Sequence, residues 1–312
     1  MLATSLGPIG LRTPILTAAG TAGTLDELAD CIDLARLGGI VTKSITREPR
    51  DGNQTWRILP ERAGMLNAIG LANPGIERFL ADHAPRIARM DTTVIGSIAG
   101  NAIEDYAEVA RGFATIDAMK AVELNVSCPN VHGGTEFGVD PVALADLIVA
   151  CREQLDGKPM LVKLSPIAVG QPGIVDMAIA AIEAGAGGLC LANTVPAMAI
   201  DVRTRRPKLA NVTGGLSGPA VHPIAVRLVH MVYRGVAKDA GVPIVGIGGV
   251  MTWRDAAEFI LAGASAVEVG TALFVDPRAP KRITKGLAKW ARSQGAASIT
   301  DLVGALAGSI DA

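Results

Sequence analysis

One stretch gathers groups that can do chemistry. Glu123-Leu124-Asn125-Val126-Ser127-Cys128-Pro129-Asn130 starts as the end of an apolar run and finishes in a cluster of small polar side chains. Pro129 fixes its own φ and biases Cys128 towards extended backbone, so the thiol sits on a shaped loop just past a strand. A free thiol titrates near ~8.5, so modest help from its surroundings makes it a general base or a reactive thiolate. The alternative for Cys128 is a small, half-buried hydrophobe, the usual condition of a free cysteine. Gly133, Gly134 and Gly138 follow, which would let the next segment move like a lid.

The surrounding chain must position that loop. Short apolar runs predict strands over 14–18, 39–42, 92–96, 121–124, 159–162, 188–191, 243–246 and 265–269. Helical patterns alternate with them over 24–37, 74–89, 103–114, 141–154, 173–183, 219–236 and 253–261, the first opening on the capping-box pair Thr24 and Glu27, and further helical patterns close the chain after the eighth strand. Residues 2–12 look like a hairpin turning at Gly7-Pro8. A long polar loop carries Asn67-Ala68-Ile69-Gly70-Leu71, and an insert over 195–217 contains a β-hairpin around Arg205-Arg206-Pro207. Eight strand–helix units with no linker between them give an α/β chain, a (β/α)8 TIM barrel formed as one domain over 1–312, with the N-terminal hairpin and the insert after strand six as additions. A doubly wound open sheet is the alternative, but Gly20-Thr21-Ala22-Gly23 does not match the glycine pattern expected after its first strand.

Composition excludes several classes. Apolar residues make up 49% of 312 residues and aromatics 3%, which suits a parallel sheet wrapped by helices. The net charge is −1 and there is no basic block, so nothing here attracts nucleic acid. Cys31, Cys128, Cys151 and Cys190 lie far apart and show no metal-ligand spacing; Cys31, Cys151 and Cys190 are expected in the core. His83, His222 and His230 fall in helical contexts, and His132 reads as a solvated loop residue, so no metal site is expected. With no signal-peptide pattern and no apolar run near ~20 residues, the expected location is the cytoplasm, away from membranes.

In a barrel of this kind, ligands bind at the C-terminal strand ends. Those ends carry Ala19-Gly20, Lys43-Ser44, Ser97, Asn125, Lys163, Asn193-Thr194, Gly248-Gly249 and Gly270-Thr271. Glycines after strands seven and eight can present backbone N–H groups to a phosphate, and Thr213-Gly214-Gly215-Leu216-Ser217-Gly218 could add more. Tight turns alone would also call for glycine there. Lys163 can place positive charge near a ring that gains electrons, and Asn125 and Asn193 can donate to and accept from a heterocycle. The rim therefore points to a phosphorylated cofactor, with Cys128 facing the substrate.

These residues carry a resemblance over essentially the whole chain. Asn67–Leu71, Glu123–Asn130, Val162-Lys163-Leu164-Ser165-Pro166, Asn211–Pro219 and Gly246-Ile247-Gly248-Gly249-Val250 together resemble the class 1 dihydroorotate dehydrogenases, flavin enzymes of pyrimidine synthesis. The resemblance implies FMN at the barrel mouth, its phosphate on the Gly218, Gly248-Gly249 and Gly270-Thr271 loops. Ala19, Gly20, Lys43, Ser44, Ser97, Asn125, Lys163 and Ala192 would line the rest. It implies dihydroorotate held by Lys43, Asn67, Ala68, Ile69, Gly70, Leu71, Asn125, Asn193 and Thr194, with Cys128 as catalytic base. Serine in place of Cys128, and an N-terminal helical extension, would instead mark the quinone-reducing class.

The loop Val131-His132-Gly133-Gly134-Thr135-Glu136-Phe137-Gly138 looks like subclass 1B. That implies NAD as oxidant and a second subunit carrying FAD and a 2Fe–2S cluster, in a homodimer or a heterotetramer with that subunit. The sequence departs from the family in two places. Ala19 stands where serine is frequent and Ser97 where asparagine is frequent, both at the expected flavin. Two other readings remain: a related flavin-dependent dihydropyrimidine reductase, and a non-catalytic flavin- or phosphate-binding barrel.

Overall fold

The computed structural model describes residues 1–126, 137–167 and 169–308. Cys128, His132, Gly133 and Gly134 lie outside the described residues. The chain opens on an antiparallel hairpin, β1 (Thr4–Leu6) and β2 (Ile9–Leu11). It continues through β3 (Ile15–Thr17), β4 (Gly39–Val41), β5 (Ile58–Glu61), β6 (Gly64–Asn67), β7 (Thr93–Ile98), β8 (Ala121–Asn125), β9 (Met160–Lys163) and β10 (Gly188–Leu191). Then come β11 (Val195–Met198), β12 (Ile200–Asp201), β13 (Arg206–Pro207), β14 (Thr213–Ser217), β15 (Ile244–Ile247) and β16 (Ala266–Val269). Strands β3, β4, β7, β8, β9, β10, β15 and β16 pair in parallel in that order, and β16 closes onto β3. The eight strands are the (β/α)8 barrel expected from the sequence, at nearly the predicted positions.

Strand side chains alternate in direction, and this sorts the core into two shells. Ile40, Val94, Val122, Val162, Leu189 and Val267 point outward and pack under the helices. Their chain neighbours Val41, Ile95, Ala121, Leu161, Cys190 and Ala266 point inward and fill the barrel. Leu6, Ile9 and Leu11 of the hairpin join this inner cluster. The Thr4 hydroxyl donates to the carbonyl of Ser265, just before β16, so the hairpin stoppers the N-terminal end. Burying one such Leu or Ile contributes about 1.5–3 kcal/mol relative to exposure.

The helices are α1 (Ile76–Asp82), α2 (Ala84–Ile87), α3 (Ile103–Ala114), α4 (Pro141–Gln154), α5 (Ile174–Glu183), α6 (His222–Val232), α7 (Lys238–Ala240), α8 (Trp253–Ala262), α9 (Ala272–Val275) and α10 (Ala279–Ser293). Local chemistry fixes several starts. Asp140 accepts from the N–H groups of Val142 and Ala143 at the head of α4, with Pro141 in its first turn. At α8 the Thr252 hydroxyl accepts from Arg254 N, and the Asp255 carboxylate accepts from Thr252 N at 2.7 Å.

Four local expectations are corrected. The helix expected over 24–37 is replaced by 3-10 turns at Glu27–Asp30 and Leu34–Arg36. Glu27 accepts from Thr24 N and Leu25 N, and Asp33 accepts from Ala35 N, so short acidic side chains bind local backbone and compete with helix. This leaves Cys31 exposed rather than in the core. The helix over 74–89 breaks at His83, because Pro85 has no N–H to continue the ladder. The helix over 219–236 is split into a 3-10 turn at Pro219–Val221, α6 and a π turn at Tyr233–Ala237.

The fourth correction concerns the polar loop after β4. It contains the β5–β6 hairpin, and β6 pairs with β14 of the insert. The order β11-β14-β6-β5 makes a four-stranded antiparallel sheet, and the expected insert hairpin, β12–β13, is a separate pair. Two segments about 150 residues apart in sequence, represented by Asn67 and Gly215, thus share one sheet edge to edge.

Candidate active site

The C-terminal strand ends open into a cavity of about 260 Å³. Ala19 and Gly20 follow β3 on its wall, and Lys43 and Ser44 follow β4. Asn125 and Lys163 end β8 and β9, and Ala192, Asn193 and Thr194 follow β10. Gly248-Gly249 and Gly270-Thr271 close the ring. The four-stranded sheet and its loops bring Asn67, Ile69, Gly70, Leu71 and Gly218 over the same opening. A Cβ built on Gly20 would lie 3.1 Å from Lys43 Nζ, so the turn after β3 and this ammonium lie against each other.

Asn125 is the hub of the polar wall. Its backbone carbonyl accepts from the Tyr106 hydroxyl of α3 at 2.8 Å. Its Oδ1 accepts from Asn193 Nδ2 at 3.5 Å, and its Nδ2 donates to Ser44 Oγ at 3.2 Å. Ser44 Oγ lies 2.8 Å from Ser97 Oγ, which donates to Glu123 Oε1 at 3.2 Å. Each hydroxyl has one proton, so the chain has one direction: Asn193 to Asn125, to Ser44, to Ser97, to the Glu123 carboxylate. It runs from the cavity wall into the barrel interior and fixes how both amides face the cavity.

Beneath it lies buried charge. Lys163 Nζ is 3.7 Å from Glu123 Oε1 and 3.6 Å from Glu268 Oε2, and none of the three side chains is more than 5% exposed. Register explains the meeting. Glu123 pairs beside Ser97 on β7, Lys163 beside Asn125 on β8 and Cys190 on β10, and all face inward. Burial works against the Lys163 charge, but the neighbouring carboxyl groups of Glu123 and Glu268 outweigh it and hold the ammonium above its ordinary range. Burial, and then the Glu123 charge, push the Glu268 carboxyl well above the usual carboxylate range.

At the opposite end the backbone is exposed to the cavity. Gly248 and Gly249 have φ of 138° and 66°, conformations that favour glycine. A Cβ on Gly249 would come within 2.7 Å of the Gly218 carbonyl, so the loops after β14 and β15 meet here. Among the described residues, the backbone N–H groups of Gly249, Val250 and Thr271 meet no acceptor. His222 Nδ1 lies 2.8 Å from the Gly248 carbonyl and braces the turn from behind.

The family description for dihydroorotate dehydrogenase matches residues 1–290. The chain belongs to the dihydroorotate dehydrogenase family. It is 48% identical over 303 residues, 97% of both chains, to the protein named dihydroorotate dehydrogenase B (NAD(+)), catalytic subunit, of Pelobacter propionicus. The protein of the same name from Geobacter sulfurreducens is 47% identical, with 98% of each chain covered. A relative from Solibacter usitatus, 46% identical over 98% of each chain, is provisionally named dihydroorotate dehydrogenase A (fumarate).

Within this dihydroorotate dehydrogenase, most residues expected at the site come together on one cavity, with three exceptions. Cys128 lies outside the described residues. Ser97 is fully buried beneath Ser44 and reaches the cavity only through the hydrogen-bond chain. Ala68 is fully buried and packs with Leu66 and Leu209 below the sheet, because strand alternation turns it away from its neighbours Asn67 and Ile69. Sequence reading also missed participants. Ile58, Met65, Leu216 and Phe274 add apolar cover to the cavity. Glu123 and Glu268 lie within apolar runs and carry no role in the sequence reading, although a charge in the middle of a buried strand needs a partner and so carries a signal.

Proposed function

We propose that this chain is the FMN-bearing subunit of a B-type dihydroorotate dehydrogenase, with residues 1–312 acting as one flavin-binding unit. It oxidises dihydroorotate to orotate in pyrimidine biosynthesis and passes the electrons to NAD through a partner subunit carrying FAD and a 2Fe–2S cluster. The observation that carries the site assignment is the shared cavity. Lys43, Asn67, Asn125, Asn193 and Thr194 lie on its wall, with Lys163 buried at its floor.

The residues present fit FMN. Backbone N–H groups of Gly249, Val250 and Thr271 without a protein acceptor suit a phosphate, and the Lys163 ammonium suits a ring that takes up negative charge. Bound FMN supplies the hydride acceptor for C6 of the substrate. Cys128 removes the C5 proton as general base. Lys43 neutralises the substrate carboxylate, while Asn67, Asn125, Asn193 and Thr194 orient the ring, where small misplacements are costly. Ala19 offers its backbone to the cofactor in place of a side chain.

Anaerobic titration of the purified chain with dihydroorotate tests this. A yellow protein that bleaches supports the reading, and one that stays yellow moves the substrate to another ring. Cys128→Ser should keep flavin and orotate bound while flavin reduction slows at least a hundredfold near neutral pH, the usual scale for loss of a general base. Undiminished reduction would remove Cys128 from that role. Adding NAD with the partner subunit, or fumarate, to the bleached protein identifies the oxidant; the Solibacter usitatus relative keeps fumarate as the second reading. Sedimentation of the chain alone and with the partner separates a homodimer from a heterotetramer. No helix among the described residues is long and apolar enough to cross a membrane.

A further inference from the structure

The cavity floor holds more charge than the proposed reaction uses. Glu123, Lys163 and Glu268 come from three strands and meet in the barrel interior. Cys190, from a fourth, has its sulfur within 4.8 Å of a carboxyl oxygen of each glutamate. Among the described residues, these are the titratable groups that face Glu268 from the elements packed on it. The lysine ammonium already stands where these carboxyls would hold a cation. If both glutamates were ionised, the layer would keep one uncompensated negative charge, which costs several kcal/mol inside a protein. A single retained proton makes the layer neutral.

Geometry says which glutamate keeps it. The directed chain from Asn193 ends with Ser97 Oγ donating to Glu123 Oε1, so Glu123 is an acceptor there. Glu268 receives no such hydroxyl among the described residues: it faces the Lys163 ammonium at 3.6 Å, and its Oε2, like Glu123 Oε2, is buried with no hydrogen bond. Burial followed by the Glu123 charge favours the neutral acid at Glu268. Burial first, then the neighbouring Glu123 and Glu268 carboxyl groups, keep the Cys190 thiol neutral as well.

We propose that Glu268 is a carboxylic acid at neutral pH, that it forms a one-proton pair with the Glu123 carboxylate, and that this pair is the positioning element that holds the Lys163 ammonium at the cavity floor. The proton count rests on the barrel interior alone; its effect on a flavin rests on the function proposed above. Lys163 and Glu123 then cancel, and the cavity feels an ammonium whose counter-charge is fixed. Replacing Glu268 by neutral Gln leaves that balance intact. Replacing Glu123 by Gln lets Glu268 ionise in its stead. Replacing both leaves the ammonium unpaired.

Infrared spectra and flavin potentials of the full chain with FMN bound test the proposal. The wild-type protein at pH 7 should show one buried carboxylic-acid C=O band that shifts in D2O and is missing from Glu268→Gln. Carboxylate bands alone would overturn the proposal without any variant. The two-electron potential of bound FMN should be unchanged in Glu268→Gln. In the Glu123→Gln/Glu268→Gln double variant the protein should favour reduced flavin at least tenfold, which is about 30 mV for a two-electron couple. A tenfold change in Glu268→Gln alone would mean that Glu268 is charged, and a double variant no different from wild type would mean that the pair does not govern Lys163; either overturns the proposal. A chain that binds no FMN would sink the flavin reading instead, while the infrared band would still decide the proton.

Discussion

Two layers of the same barrel interior behave in opposite ways. The lower layer, with Ile95, Ala121, Leu161 and Ala266 over the hairpin stopper, is apolar and stabilises the fold by burial alone. The layer above it holds Ser97, Glu123, Lys163 and Glu268, two residues further along the same strands, and places charge where charge is costly. Strand alternation is the same in both, so topology dictates only that these side chains face inward. The lower layer reports stability, and the upper one holds an electrostatic arrangement beneath the candidate site at a cost in stability.

That contrast can be broken by substitution. Lys163→Met should have the largest effect. It strands the Glu123 charge and should destabilise the fold by about 3–5 kcal/mol near neutral pH, with weaker FMN binding. The loss should shrink at lower pH, where both carboxyls can be neutral; denaturant melts at two pH values measure it. Leu161→Ala in the lower layer should cost about 2–5 kcal/mol through the cavity it leaves, with FMN affinity unchanged and no pH dependence. If it changed FMN affinity as Lys163→Met does, the two layers would not be separable.

Smaller effects sharpen the comparison. Glu268 binds its proton more tightly folded than unfolded, because its folded pKa is raised. Its contribution is therefore fully present below the unfolded carboxyl range and is lost as pH rises, by up to about 1.4 kcal/mol per pH unit. Glu268→Gln removes this slope, so its Tm relative to wild type should climb between about pH 5 and pH 8. A parallel pair of Tm curves would place an ionised Glu268 in the native state. Tyr106→Phe should have the smallest effect, about 1 kcal/mol from the lost bond to the Asn125 carbonyl. Orotate affinity should fall with it if that bond helps aim Asn125.

Much of this was legible in the chain. Short continuous apolar runs, glycines at their ends, and lysines and asparagines just beyond place the rim residues on one face of a barrel. The helix errors were local: side chains of Glu27 and Asp33 binding nearby N–H groups, and Pro85 interrupting a helical pattern, are competitions that periodicity does not rank. Cys31 followed its helix and was misplaced with it.

By itself the sequence determined the barrel, the family, and which strand ends could reach a ligand, because those depend on residue type and near-neighbour spacing. Only the tertiary structure decided that β6 joins β14, that Ser97 lies beneath Ser44 instead of on the cavity wall, and that Glu123, Lys163 and Glu268 share one buried layer. These depend on strand register across closure between residues as far apart as Leu16 and Glu268, neighbours on β3 and β16. A charge in a buried strand announces that it has a partner, and barrel closure selects which one.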